Sequence, residues 1–238
     1  VFAGQGAQKP GMGKSLYEAS PAARAALDRA ERARPGTLDQ CFGGDTGALS
    51  VTLHAQPCVF AVDMACAAAV REAGIAPDCA AGFSLGELAA ACFAGMLPFE
   101  EALALVARRA EWMQRCCERH PGGMLAVIRL DAAEVEALCR EFDGAYPVNY
   151  NAPGQTAVAC SEEVLPLLAA RVAQAGGRAI RLNVSGAFHS PYMAEAAERL
   201  GEYLRGVALA PPEIPLFANK TARPYEGDLA QIMASQAA

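Results

Sequence analysis

Apolar and polar residues follow two different rhythms along this chain, and the rhythm changes at Pro121-Gly122-Gly123. Before that point the apolar positions have helical spacing. Ser20-Pro21 opens a helix running to Ala33, with proline at the first helical position, where its missing amide does no harm. Gln56 to Gly74, QPCVFAVDMACAAAVREAG, is apolar almost all round, which predicts a buried helix closed by Gly74. The short apolar segment CAAGF ends at Ser84; helices from Leu85 to about Gly95 and from Pro98 to Glu118 follow. VFA at the start reads as the stub of a buried strand entering the glycine-rich turn GQGAQKPGMG.

After Gly123 the period shortens. MLAVIRL reads as a strand, and DAAEVEALCREF as a helix with Asp131 and Glu134 placed as a capping box. AYPVNY and QTAVAC are two strands joined by the turn NAPG. Ser161 is expected to cap a helix to Gln174, Gly176-Gly177 stops it, and RAIRLNV is a last strand. The order βαββαβ predicts a ferredoxin-like subdomain at 122–184, inserted into an α/β body formed by 1–121 and 185–238, with a cleft between the two as the natural binding place.

Composition narrows the functions this architecture can serve. The chain has 238 residues, is 53% hydrophobic and carries a net charge of -6, which argues against nucleic acid as its main partner. Nine cysteines form an odd set with no C-x-x-C pair, suggesting neither a zinc site nor a disulfide framework; a reducing, cytoplasmic setting is expected, with no metal and no resident cofactor. Asp63, Arg71 and Glu87 interrupt the apolar runs before they reach the length of a membrane span, so no membrane association is expected. VFAGQGAQ lacks a charged leader followed by a long apolar region, and no signal peptide is read there. A monomer is the expectation.

Chemistry concentrates in the stretch AGFSLGELAAA. Gly82 and Gly86 bracket Ser84 at the spacing of a nucleophile elbow, strand then serine then helix. The serine could equally cap the helix, accepting from its free first-turn amides. A nucleophile needs a base, and the chain has three histidines. His120 lies in the charged stretch ERHPGG and reads as exposed; His54, at the entrance to the buried helix, reads as structural. His189 lies in NVSGAFHSPYM, directly after the last strand of the insert, and is the candidate base. In GQGAQ the amide of Gln5 could point with that of Leu85 at a developing oxyanion, although the segment also reads as an ordinary glycine turn; as a phosphate loop it lacks the closing G-K-[ST]. Arg108 shares its helix face with Glu101, Glu111 and Arg115, a solvated stripe. Arg109 instead faces Leu105, Val106, Trp112, Met113 and Cys116. A charge on an apolar face calls for a carboxylate, from a ligand or from the protein itself, or for a side chain that snorkels out.

Five motifs in order, VFAGQGAQ, GFSLGE, LVARRAEWMQ, NAPGQ and GAFHS, closely resemble the malonyl-CoA:acyl carrier protein transacylases over nearly the whole chain. The resemblance implies an α/β-hydrolase-like body with a parallel sheet plus an inserted ferredoxin-like subdomain. It implies malonyl transfer from malonyl-CoA to the phosphopantetheine thiol of acyl carrier protein through Ser84, with His189 as base and the Gln5 and Leu85 amides at the oxyanion. Arg109 becomes the clamp for the malonyl carboxylate, and Gln56, Met113, Asn151 and Phe188 line the substrate; a bulky Phe188 disfavours a 2-methyl branch. Gln236 is matched to a glutamine whose backbone carbonyl holds the catalytic histidine. An acidic carrier would need a basic patch, for which Arg178, Arg181, Lys220 and Arg223 are candidates. The sequence departs from the pattern at Phe83, where the family usually has histidine, and the family extends beyond both ends of this chain. The alternatives are an acyltransferase domain of a polyketide synthase, a serine esterase or thioesterase, and a non-catalytic binding module.

Overall fold

The computed structural model describes residues 1–43 and 45–238. In chain order the elements are α1 Lys14–Ala19, α2 Pro21–Ala33, α3 Thr37–Gly43, α4 Thr46–Ser50, α5 Thr52–Glu72, β1 Ala80–Ala81, α6 Gly86–Phe93 and α7 Phe99–Arg119. There follow β2 Gly122–Ile128, α8 Ala132–Cys139, β3 Ala145–Ala152, β4 Gln155–Ser161, α9 Val164–Gln174 and β5 Arg178–Arg181, then α10 Ala194–Leu204, β6 Leu216–Phe217 and α11 Leu229–Ser235. They fall into two compact units, Val1–Glu111 with Glu198–Gln236, and Trp112–Ala197 with Ala237–Ala238.

The first unit is mostly helical around a very short parallel sheet. β1 pairs with β6 in parallel, Ala80 opposite Leu216 and Ala81 opposite Phe217, and Phe2 adds a parallel bridge to Gly82. Ser20 caps α2 by accepting from Ala23 N, with Pro21 in the first turn, as the sequence predicts. α5 begins at Thr52, earlier than the apolar run suggests, and carries Pro57 in its interior. Pro57 has no amide for the carbonyl of Leu53; Arg34 Nη2 donates to that carbonyl at 3.4 Å instead. Contrary to the reading of its charges as interruptions, α5 is long and apolar enough, by length and composition, to cross a membrane. Its apolarity is used internally: Ala55, Cys58, Val59, Phe60, Ala61 and Ala65 are buried.

In the second unit, β2 to β5 form an antiparallel sheet in the order β3-β4-β2-β5. That is the strand order of a ferredoxin-like βαββαβ unit. Strand alternation sorts its side chains onto two faces. Leu125, Val127, Val158 and Cys160 pack with Val135 and Leu138 of α8 and Leu165, Leu168 and Val172 of α9. Met124, Ala157 and Ala159 point the other way, into a cluster with Met113, Cys116, Cys117, Phe188, Met193 and Ala196. The insert read at 122–184 lies wholly inside this unit, which also takes in the residues that cover that second face. Asp131 and Glu134 form the expected capping box on α8. Ser161 does not cap α9. It is the last residue of β4, paired with Gly122, and α9 starts at Val164 without a side-chain cap. Three further readings shift at their ends: β1 keeps two residues of CAAGF, β3 runs on to Ala152, and β5 stops at Arg181.

Candidate active site

The elbow exists, and the two glycines explain how. A Cβ on Gly82 would overlap the Gly86 carbonyl and the Glu87 amide, and one on Gly86 would overlap the carbonyls of Phe2 and Ala3, so strand, bend and helix close on one another only without those atoms. Ser84 sits at the apex with φ 52°, left-handed for a non-glycine residue, a conformation that costs on the order of 1–3 kcal/mol and persists only where its surroundings enforce it. α6 starts without a side-chain cap: the Glu87 amide donates to the carbonyl of Ser84 at 3.0 Å, and that of Gly86 to the carbonyl of Phe83 at 2.9 Å. The capping role is thus filled by backbone. Phe83 is 45% exposed beside the buried serine.

Arg108 and Arg109 part company as the helix pattern predicts. Arg108 is exposed and pairs with Glu111 at 3.4 Å, whereas Arg109 is only 2% exposed. The Arg109 guanidinium donates to Gln56 Oε1 at 2.8 Å, Gln236 Oε1 at 3.0 Å and Ser84 Oγ at 3.3 Å. Each of these acceptors is neutral, and the buried Nε has no hydrogen-bond partner among the described residues. Burial pushes the guanidinium down to about 10, opposed by the charge of Glu87, which leaves it a cation at neutral pH. The relay continues outward: Gln56 Nε2 donates to Gln5 Oε1 at 3.2 Å, and Gln5 Nε2 to Thr52 Oγ1 at 3.2 Å. Among the described residues the backbone amides of Gln5 and Leu85 donate to no protein acceptor.

The sequence reading missed the grip on the elbow from the segment after β6. The Ser84 amide donates to Asn219 Oδ1 at 2.6 Å, and Asn219 Nδ2 donates to the Gly82 carbonyl. Tyr225 donates its hydroxyl to Glu87, a fully buried carboxyl in the first turn of α6. Burial raises Glu87 to about 7, with Tyr225 and the charge of Arg109 pulling the other way. Gln236, the C-cap of α11, donates from Nε2 to the Ser84 carbonyl at 2.8 Å while its Oε1 takes Arg109. The resemblance gives Gln236 a role through its backbone carbonyl; its side chain, which the resemblance does not address, bonds the serine and the arginine. No local signal marks Asn219 or Tyr225, because partners more than 130 residues away leave no periodicity.

The second unit holds the remaining candidates. His189 is half-buried with φ 60°, a second non-glycine residue in left-handed conformation, in the turn Gly186–Ser190 where Ser190 Oγ donates to the Ala187 carbonyl at 2.6 Å. Phe188 and Met113 are buried members of the apolar cluster on the sheet, and Asn151 is exposed near the end of β3. Arg178 and Arg181 are exposed, and Arg181 is held in a fork by Glu162 at 2.9 Å. In the first unit, Lys220 and Arg223 are exposed, and His54 contacts Arg34 and Gln40, with desolvation and the Arg34 charge lowering its basicity. His120 is exposed, its ring 5.8 Å from that of Tyr192.

The model of the family described as acyl transferase domain matches residues 1–235. The chain belongs to the acyl transferase domain family. As a family member it is 36% identical over 229 residues to the malonyl CoA-acyl carrier protein transacylase of Bacillus subtilis (strain 168), covering 93% of this chain and 72% of that protein. It is 35% identical to a phenolphthiocerol synthesis polyketide synthase type I of Mycobacterium marinum, covering 93% of this chain but only 10% of the synthase. Among solved structures, a malonyl-transacylase in complex with its type II polyketide synthase acyl carrier protein superimposes with a TM-score of 0.95 at 30% identity, covering 100% of this chain and 79% of that one. The acyltransferase fold, α/β with a parallel sheet and a separate antiparallel sheet, is therefore the fold of this chain.

Proposed function

We propose that this acyltransferase moves a malonyl group from malonyl-CoA to the phosphopantetheine thiol of an acyl carrier protein. The observation that carries the reading is Arg109, a buried cation held by neutral oxygens, 3.3 Å from Ser84 Oγ. A guanidinium so placed favours an acyl group that brings its own carboxylate, and one contact then both selects and orients the donor. The names of the relatives support the same reading, the malonyl CoA-acyl carrier protein transacylase from Bacillus subtilis and the carrier-bound malonyl-transacylase above all.

In this account His189 takes the proton of Ser84, and Oγ attacks the thioester carbonyl. The C–S bond breaks, CoA leaves as its thiol with that proton, and a malonyl-serine ester remains. The carrier thiol then gives its proton to His189 and attacks the ester, restoring the serine hydroxyl. The amides of Gln5 and Leu85 receive the negative oxygen of each tetrahedral intermediate. Gln56 fixes the clamp from one side; Phe188, Met113 and Asn151 are assigned to the substrate by resemblance. The chemistry is taken to need no metal or resident cofactor. A monomer in a reducing cytoplasm belongs to the same reading, supported by nine cysteines of which none is in a disulfide.

The chain's likeness to part of a polyketide synthase favours a second setting, the same transfer performed inside a larger enzyme. Incubating the protein with malonyl-CoA, with and without a phosphopantetheinylated carrier, tests the function. Malonyl-carrier formed faster than free malonate supports transfer; malonate released regardless of carrier marks a hydrolase, and no turnover of either kind marks a binding module.

A further inference from the structure

The parallel pairing of β6 with β1 stops at Phe217 and Ala81, two residues short of the elbow. From there the backbone of β6 turns away into a loop closed at its base: the Ala218 amide donates to the Arg223 carbonyl at 2.9 Å, the Ala222 amide to the Ala218 carbonyl at 2.9 Å, and the Tyr225 amide to the Leu216 carbonyl at 2.8 Å. Phe217 also bridges Pro224 in antiparallel sense. Asn219 is presented at the start of this closed loop. Its carboxamide continues the pairing that the backbone abandons, accepting from the Ser84 amide at 2.6 Å and donating to the Gly82 carbonyl. One planar group thus fixes the backbone on both sides of Phe83. It does so where Ser84 is strained at φ 52°, a conformation that needs outside support.

We propose that Asn219 is a positioning residue for acyl transfer, its carboxamide holding the strained elbow so that Ser84 Oγ stays at its attack position. The proposal rests on the reading of Ser84 as nucleophile. Its consequence is specific, because the Asn219 carboxamide bonds Ser84 and Gly82, whereas Arg109 is bonded directly by Gln56 and Gln236. Losing the clasp should slow attack by Ser84 while leaving recognition of the acyl carboxylate unchanged. Asn219 is exposed, so its replacement removes no core packing.

The test is the rate constant and the amplitude of Ser84 acylation in a single turnover with malonyl-CoA, followed by intact mass, together with labelling by a fluorophosphonate probe. Asn219→Ala should acylate and label to full amplitude with a rate constant lowered about tenfold or more, while the malonyl-CoA concentration giving half-maximal rate stays within about twofold. Asn219→Asp keeps the acceptor for the Ser84 amide and loses the donor to Gly82, so its rate constant should fall between the two. A residue that only stabilised the fold would lower the amplitude, not the rate constant of the fraction that reacts. Wild-type rate constants in both variants overturn the inference. Should Asn219→Ala not fold, Asn219→Asp decides alone: slowed acylation supports the clasp, and a wild-type rate constant refutes it. Ser84→Ala run beside them separates the two levels, because a mass adduct that survives there contradicts the nucleophile itself rather than the clasp.

Discussion

In the second unit the backbone meets its own needs. β2 and β4 pair without interruption from Gly122 opposite Ser161 to Ile128 opposite Gln155, and the side chains they carry form apolar clusters on both faces. In the first unit the paired strands are two residues long, and side chains do what the ladder does elsewhere: Asn219, Gln236 and Tyr225 hold the elbow, and Gln56 and Gln236 hold the arginine. The price of that arrangement is a buried guanidinium, a buried carboxyl and a strained serine in one small region. A regular sheet cannot present a hydroxyl on a tight bend beside a desolvated cation; the irregular unit does so, while the regular unit presents His189 from a turn outside its strands.

Substitutions should separate these two kinds of construction. The largest effect is expected in the polar unit with no loss of fold: Ser84→Ala should reduce malonyl transfer at least about a thousandfold, roughly 4 kcal/mol in barrier, while its denaturation midpoint stays near wild type. Leu168→Ala should do the reverse. It empties part of the α9 side of the sheet and should cost about 3 kcal/mol of stability, read by urea denaturation, with activity per folded molecule unchanged.

Glu87 sharpens the comparison through pH. Burial raises its carboxyl to about 7 from an ordinary value near 4.5, so between those limits the folded protein binds a proton that the unfolded chain has lost. Stability contributed by this group therefore falls as pH rises from about 4.5 to about 7 and stays low above it. Glu87→Gln keeps an acceptor for Tyr225 and removes the titration. It should gain about 3 kcal/mol over wild type at pH 8 and almost nothing at pH 4, measured by chemical denaturation at both values. An unchanged pH slope would mean that Glu87 is solvated or fully neutralised by Arg109. The smallest effect belongs to the regular unit: Asp131→Ala removes one half of the α8 capping box and should cost about 1 kcal/mol without touching transfer.

The same contrast explains what could be read from the sequence. Residues whose role is set by local spacing were legible: the Ser20 cap, the Asp131–Glu134 box, the alternation in β2 and β4, the elbow glycines, and the burial of Arg109 against the exposure of Arg108. Residues whose role is set by a distant partner were not. Ser161 has the look of a helix cap, yet strand pairing with Gly122 claims it. The start of α5 was hidden because Pro57 normally breaks a helix, and the rescue of the Leu53 carbonyl by Arg34 comes from another element. Asn219, Tyr225 and the side-chain role of Gln236 depend on contacts spanning more than 130 residues, and β6 is too short to show a period.

The central claim is that a desolvated guanidinium selects the acyl group that Ser84 accepts. Mixing wild-type protein and Arg109→Ala with malonyl-CoA or with acetyl-CoA, and following the adduct on Ser84 by mass spectrometry, tests it most directly. Wild type should carry malonyl on Ser84, and Arg109→Ala should form that adduct at least about a hundredfold more slowly while its acetyl adduct forms no more slowly than in wild type. Malonyl acylation of Ser84 at an undiminished rate in Arg109→Ala would contradict the account.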